Sequence, residues 1–267
     1  LNNMATRALT GAAYVVLTLG AAWAGPFTTF LLFLPVAVIA AFELQRLVWK
    51  EGEGLTSVWC MAVVGIVYTV CSMGVFDGDH YLAVQGAVVL FMALLTVGYL
   101  LKDQSANPAR DLGGFMLLVA LIALPFSAMI HLFSYGTAVF VGFMVMLWTA
   151  DTGAYLVGRT IGRTKLLPSV SPNKTVEGFL GGIAFTVGVA YVFSLYQPAL
   201  DTSTWLACGA IVATTSTLGD LLESAFKRAR GVKDSGTILP GHGGMLDRFD
   251  GALLAAPAMF LYLALVH

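Results

Sequence analysis

From Gly251 to Val266 the chain reads "GALLAAPAMFLYLALV", sixteen residues without a charge. Stretches of this kind recur along its length. A membrane-spanning helix needs about 20 mostly apolar residues. Runs that approach this lie near 8–24, 27–48, 55–73, 82–101, 113–133, 135–157, 178–196, 205–226 and 249–266. Composition excludes the alternative of one large water-soluble core. The chain is 58% hydrophobic and only 11% charged, against about 25% charged residues in a soluble domain. The expected fold class is therefore all-α, a polytopic integral membrane protein with about nine transmembrane helices. The first run ends in "AWAG", an Ala-x-Ala pattern compatible with a cleaved signal peptide, but a second apolar run follows at once. Cys60, Cys71 and Cys208 lie in apolar runs without CxxC spacing and read as small hydrophobic residues.

Charge placement orients the chain. If nine runs alternate, all fourteen Lys and Arg fall on or near one face, from Arg7 through Arg46, Lys102, Arg159 and Lys174 to Arg248. The opposite connections, "AGPF", "GVFDGDHY", "FSYG" and "QPALDTST", contain none. The positive-inside rule makes the Lys/Arg face cytoplasmic. A net charge of −1 offers no basic field for nucleic acid. Residues 1–134 read as generic membrane scaffold. Residues 135–267 carry polar groups at membrane depth and two long cytoplasmic loops, within one integrated membrane domain.

Ionisable residues at membrane depth are expensive and read as functional by default. Asp151 lies sixteen residues after Tyr135, about 24 Å along a helix, and Asp220 fifteen after Trp205, about 22 Å. Asp247 and Asp250 open the last run. All four thus converge on the cytoplasmic third of the bilayer, with Glu223 on the helix face of Asp220. Such a cluster must be protonated, paired with Lys or Arg, or neutralised by metal. A set of oxygen ligands suits Mg²⁺. A salt bridge, such as Asp247 with Arg228, is the alternative for any single acid.

The two long loops supply cations. "SPNKT", residues 171–175, reads as a helix start, with Asn173 or Thr175 as cap and Glu177 in the first turn. A cation at that end, Lys174, opposes the helix dipole unless an anion binds there. Ser171, Asn173 and Thr175 are candidates for the same anion. Gly178, Gly181 and Gly182 suit close helix packing. In "ESAFKRARGVKDSGTILPGHGGMLDRFD", Lys227, Arg228 and Lys233 stand beside the acids, and Gly241, Gly243 and Gly244 let backbone N–H groups approach an anion. Acids for a divalent ion and cations for phosphates, at a membrane surface, describe phosphoryl or nucleotidyl transfer with a lipid partner.

The stretch Ser224–Asp250, "SAFKRARGVKDSGTILPGHGGMLDRFD", resembles the signature of the phosphatidate cytidylyltransferases (CDP-diacylglycerol synthases). "DTGAYLVGR", "SPNKTVEGFLGG" and "GDLLES" are similar to further blocks of that family, so the likeness covers roughly residues 148–266. It implies a reaction of CTP with phosphatidate in the membrane, giving CDP-diacylglycerol and pyrophosphate. It also implies Mg²⁺, a second, monovalent cation (K⁺) and a homodimer. Carried over, Asp220 and Asp247 hold metal, with Asp250 and Asp151 in support. Lys174, Lys227, Arg228, Lys233 and His242 contact phosphates, and Arg248 orients its acidic neighbours. A CTP-dependent lipid kinase or a CDP-ether-lipid synthase fits the same surface site. An ion-coupled transporter would place its acids at the midplane instead.

Overall fold

A computed structural model describes residues 3–49, 55–77, 81–102, 107–238 and 243–267. The chain is almost entirely helical: α1 (Asn3–Ala24), α2 (Pro26–Val48), α3 (Ser57–Ser72), α4 (Gly74–Asp77), α5 (Tyr81–Lys102), α6 (Pro108–Leu118), α7 (Leu124–His131), α8 (Thr137–Ile161), α9 (Val176–Tyr196), α10 (Thr202–Ala229), α11 (Leu246–Phe249) and α12 (Ala252–Val266). A π-helical segment, Val119–Ala123, continues α6 into α7. One antiparallel hairpin, β1 (Lys165–Leu167) with β2 (Ser171–Thr175), pairs Lys165 with Thr175 and Leu167 with Ser171.

Local sequence explains where the helices start. Pro26 occupies the first turn of α2, where its missing N–H is harmless. Thr56 caps α3 by accepting from Trp59 N–H, and Asn107 caps α6 by accepting from Arg110 N–H. Asp201 caps α10 through the Ser203 and Thr204 amides, at 3.1 and 3.3 Å. The Ser203 and Thr204 side chains first, and then these amides, favour the ionised carboxylate and hold its pKa at about 2.

Among the described residues, seven helical stretches are long and apolar enough to cross a membrane: Pro26–Val48, Ser57–Phe76, Pro108–Tyr135, Thr137–Ile161, Val176–Tyr196, Thr202–Ala229 and Leu246–Val266. The other two expected runs are also helices, α1 and α5, with shorter apolar parts at Thr10–Ala24 and Gly86–Gly98. The protein is thus an all-α, multi-pass membrane protein. Helices suit this solvent because each satisfies its own backbone polar groups.

The chain forms two compact units, Leu1–His131 with Asp234–Arg248, and Leu132–Lys233 with Phe249–His267. In the first, α2 packs on α3, where the Tyr68 hydroxyl donates to the Phe30 carbonyl at 3.0 Å. Buried Trp49, just after α2, donates to Asp111 on α6 at 2.6 Å. In the second, α8 packs along α9 and α9 along α10. The α8–α9 seam is lined by small residues. A Cβ on Gly178 would lie 2.8 Å from the Ala154 carbonyl oxygen, and one on Gly182 2.9 Å from that of Ala150. Close backbone approach of this kind is what holds helices together in lipid, where burial of apolar surface gives no drive. The packing role expected of these glycines is the one they have.

Candidate active site

In the second unit the functional side chains gather where α8, the hairpin, the start of α9 and the last third of α10 meet. Thr175 ends β2 and caps α9, its hydroxyl accepting from Gly178 N–H at 3.1 Å. Of the two caps expected, Asn173 and Thr175, it is Thr175 that serves, and the helix starts at Val176; residues 171–175 themselves form a strand, which was not expected. Glu177 is in the first turn as expected, but its carboxylate accepts from the amides of Arg163 and Thr164 and so folds the loop back onto the helix. Lys174, one residue before the cap, points its Nζ at Asp220 Oδ2, 2.5 Å away. Asp220 Oδ1 accepts from Ser224 one turn on, at 3.2 Å. The cation expected to face an anion at the helix start therefore faces a carboxylate of the chain itself.

This pair borders a cavity of about 460 Å³, walled also by Asp151, Tyr155, Arg159 and Asn173. Arg159 donates to the Tyr155 hydroxyl at 2.8 Å, one helical turn back, which fixes a cation on the cavity wall. Neither residue was singled out from sequence, where Arg159 counted only toward orientation. Asp250 stands beside the cavity. Its backbone carbonyl lies so close to Gly219 that a Cβ there would collide with it. The carboxylates of Asp220, Glu223 and Asp151 are the charges that act upon it. Its own Oδ1 accepts from Gly251 N–H at 2.6 Å.

The remaining cations divide by burial. Lys227 is buried and bonded at 2.5 Å to Glu223, itself 1% exposed. Arg228 is exposed and donates to the carbonyls of Val170 and Val232, at 3.3 and 2.8 Å, so it ties the first basic loop to the second. Lys233 is exposed, and Ser171 half-buried on β2. His242 and Gly241 lie outside the described residues.

The first unit holds a second group of acids. Asp247 Oδ2 accepts from Ser235 N–H at 3.0 Å and Gly244 N–H at 2.7 Å. Glu43, on α2 and 1% exposed, accepts from Ser235 Oγ at 3.0 Å, Met245 N–H at 3.0 Å and Leu246 N–H at 2.7 Å. Gly243 has a φ of +80°, and a Cβ there would stand 2.7 Å from Asp247 Oδ2. A Cβ on Gly244 would stand 2.5 Å from Glu43 Oε2. These two glycines thus admit carboxylates of the chain. Arg248 is exposed, its N–H on the Met245 carbonyl at 3.0 Å. Sequence reasoning passed over Glu43 because it lay in the generic half. The signal that finds it is the one applied to the aspartates, a charge inside an apolar run.

The donors in the second unit's site are carboxylate oxygens, which suit Mg²⁺. Among the described residues no three His, Cys, Asp or Glu side chains are grouped as a metal cage. Mg²⁺ does not require one, since it is commonly held by one or two carboxylates together with substrate phosphates and water. Asp151 and Asp220 on one cavity wall fit that requirement.

A cavity among apolar helices, lined by acids and cations, is suited in charge to phosphate ligands. The chain matches the model of the Cytidylyltransferase family over residues 5–266 and belongs to that family. It is 37% identical over 270 residues to the phosphatidate cytidylyltransferase of Bacillus subtilis (strain 168), covering 98% of each chain. It is 31% identical to a protein of that name from Staphylococcus epidermidis (87% of this chain, 94% of the relative). A third, from Staphylococcus aureus, is 32% identical (85% and 90%).

Proposed function

We propose that the protein is a phosphatidate cytidylyltransferase, joining CTP to phosphatidate at the cytoplasmic face of the membrane and releasing pyrophosphate. The observation that carries this reading is the Lys174–Asp220 pair on the wall of a cavity between membrane helices. A lipid phosphate and a water-soluble nucleotide can meet only where such helices reach the surface. The names of the relatives support the choice of substrates.

A phosphate oxygen of phosphatidate is already anionic and needs no strong base. It attacks the α-phosphorus of CTP in line. The bond from that phosphorus to the β-phosphate oxygen breaks, and pyrophosphate leaves with the electron pair. Little remains for the protein beyond positioning and neutralising charge. Lys174 and Arg159 supply positive charge to the phosphates. Asp220 aims Lys174 and, with Asp151, would hold Mg²⁺, which supplies further neutralisation of phosphate charge when bound. Asp250 supports this set, and Asp247 is proposed as a metal ligand on its place in the motif alone. Lys227, bonded to Glu223 one turn back on α10, neutralises that buried carboxylate; Lys233 and His242 are proposed phosphate contacts. K⁺ and a homodimer belong to the same proposal and rest on the resemblance.

The test is incubation of the purified protein with phosphatidate, Mg²⁺ and CTP labelled at the α-phosphate. Label should become lipid-soluble and should stay aqueous in chelator. Lipid-soluble label from γ-labelled CTP instead would make the protein a kinase, and no lipid product from either would overturn the reading. Orientation is tested with single cysteines at Ser169 and Ala199, exposed positions beyond opposite ends of α9. An impermeant reagent outside the cell should reach only position 199; labelling of 169 alone would reverse the assignment, and labelling of both would overturn a membrane crossing by α9.

A further inference from the structure

We propose that Glu43 is a positioning residue of the transfer reaction, acting from the first unit by fixing the loop that presents Asp247. Two carboxylates divide the donors of this loop between them. Ser235 gives its N–H to Asp247 and its hydroxyl to Glu43. Of three successive amides, Gly244 donates to Asp247, while Met245 and Leu246 donate to Glu43. The two sides of the loop are thereby laced together through two acids, each accepting from both sides.

The fit is specific to a carboxylate at residue 43. Oε1 accepts one amide, and Oε2 accepts an amide and a hydroxyl. A carboxylate offers only acceptors, whereas a Gln would turn an NH₂ group toward one of these donors. The loop is shaped to the carboxylate as well. A Cβ on Gly236 would collide with Oε1, and one on Gly244 would crowd Oε2 at 2.5 Å. Glu43 therefore sets where the Gly244 amide stands, and that amide holds the rotamer of Asp247. Asp247 is oriented by a residue 204 positions away in the chain.

This inference rests on the reading that Asp247 serves cytidylyl transfer. Groups that orient a metal-ligating carboxylate typically cost about 10- to 100-fold in activity when removed. Glu43→Gln, assayed with CTP, phosphatidate and saturating Mg²⁺, should lower kcat by about that factor. The KM values for CTP and phosphatidate should stay within about twofold, the pattern of an interaction felt in the transition state. Thermal midpoint in detergent should fall modestly, since one buried donor loses its acceptor, while the protein stays folded at the assay temperature. A wild-type kcat, or a loss accounted for by a smaller folded fraction, would overturn the proposal. If Glu43→Gln does not fold, Ser235→Ala decides. It removes one donor to Glu43 and leaves both carboxylates, and it should lower kcat severalfold at unchanged KM; no change would overturn the proposal. Wild-type protein run in parallel separates the two readings, since its failure to form a cytidylated lipid would defeat the proposed function and not the clamp.

Discussion

Asp220 and Glu43 are both acids near the C-terminal ends of long apolar helices, α10 and α2, and they are stabilised in opposite ways. Asp220 sits on a cavity wall, its side chain 28% exposed, and faces a cation 2.5 Å away. Glu43 is buried and is satisfied by two amides and a hydroxyl. A carboxylate paired with a part-exposed Lys can exchange that partner for a substrate phosphate or a metal ion. A carboxylate laced into backbone amides cannot do so without unravelling its loop. The first arrangement suits chemistry, and the second suits holding something still.

The comparison breaks most severely at Asp220. Asp220→Asn should lower turnover by about 10²- to 10³-fold, the usual effect of removing an electrostatic group from a reacting centre. Measured as kcat/KM for both substrates, a loss below tenfold would place Asp220 with the structural acids. Lys174→Ala comes next. Loss of a charged hydrogen bond to phosphate should cost about 1.5–3 kcal/mol, or roughly 10- to 150-fold in turnover. The protein should remain folded in detergent, and unchanged kinetics would reduce the Lys174–Asp220 pair to a surface salt bridge.

Gly244→Ala probes the other side. The added methyl crowds Glu43 Oε2 and collides with Ser235 Oγ. Such overpacking should cost about 1–3 kcal/mol, read as a lower thermal midpoint. A midpoint equal to wild type would show the clamp to be looser than its geometry.

Asp201 is the exposed control and should have the smallest effect. Its pKa is held at about 2 by the Ser203 and Thr204 side chains and, less, by the amides it caps. A carboxylate whose folded pKa is depressed contributes stability above its unfolded value and loses it as pH falls through the folded one. Asp201→Ala should lower the thermal midpoint slightly near neutrality, and the difference from wild type should shrink between about pH 4 and pH 2. A difference that does not change with pH would mean that the charge contributes nothing.

The site was unevenly legible in the sequence. Asp220 and Asp151 stood out because a charge within an apolar run is costly, and Lys174 because a cation at a helix start opposes the dipole; the three do line one cavity. Lys174 was correctly placed just before α9, and Thr175, one of the two caps expected, is the cap, but the strand over Ser171–Thr175 was missed. Strand pairing between residues 165–167 and 171–175 is a tertiary choice that local capping signals do not report. Lys227 and Arg228 looked equivalent as neighbours in a basic stretch. One helical step of about 100° turns the first inward to buried Glu223 and the second outward to two loop carbonyls.

Sequence alone determined the solvent of this protein, its helical class and which ionisable groups its loops carry. Apolar run length and charge cost are properties of the chain, whatever it packs against. Tertiary structure decided which partner each ionisable group received. It gave Lys174 to Asp220, and it divided the amides of residues 244–246 between Asp247 and Glu43. Hydrogen bonds act over about 3 Å, and the residues that share them here are separated by up to 203 positions. No spacing rule along the chain can reach that far.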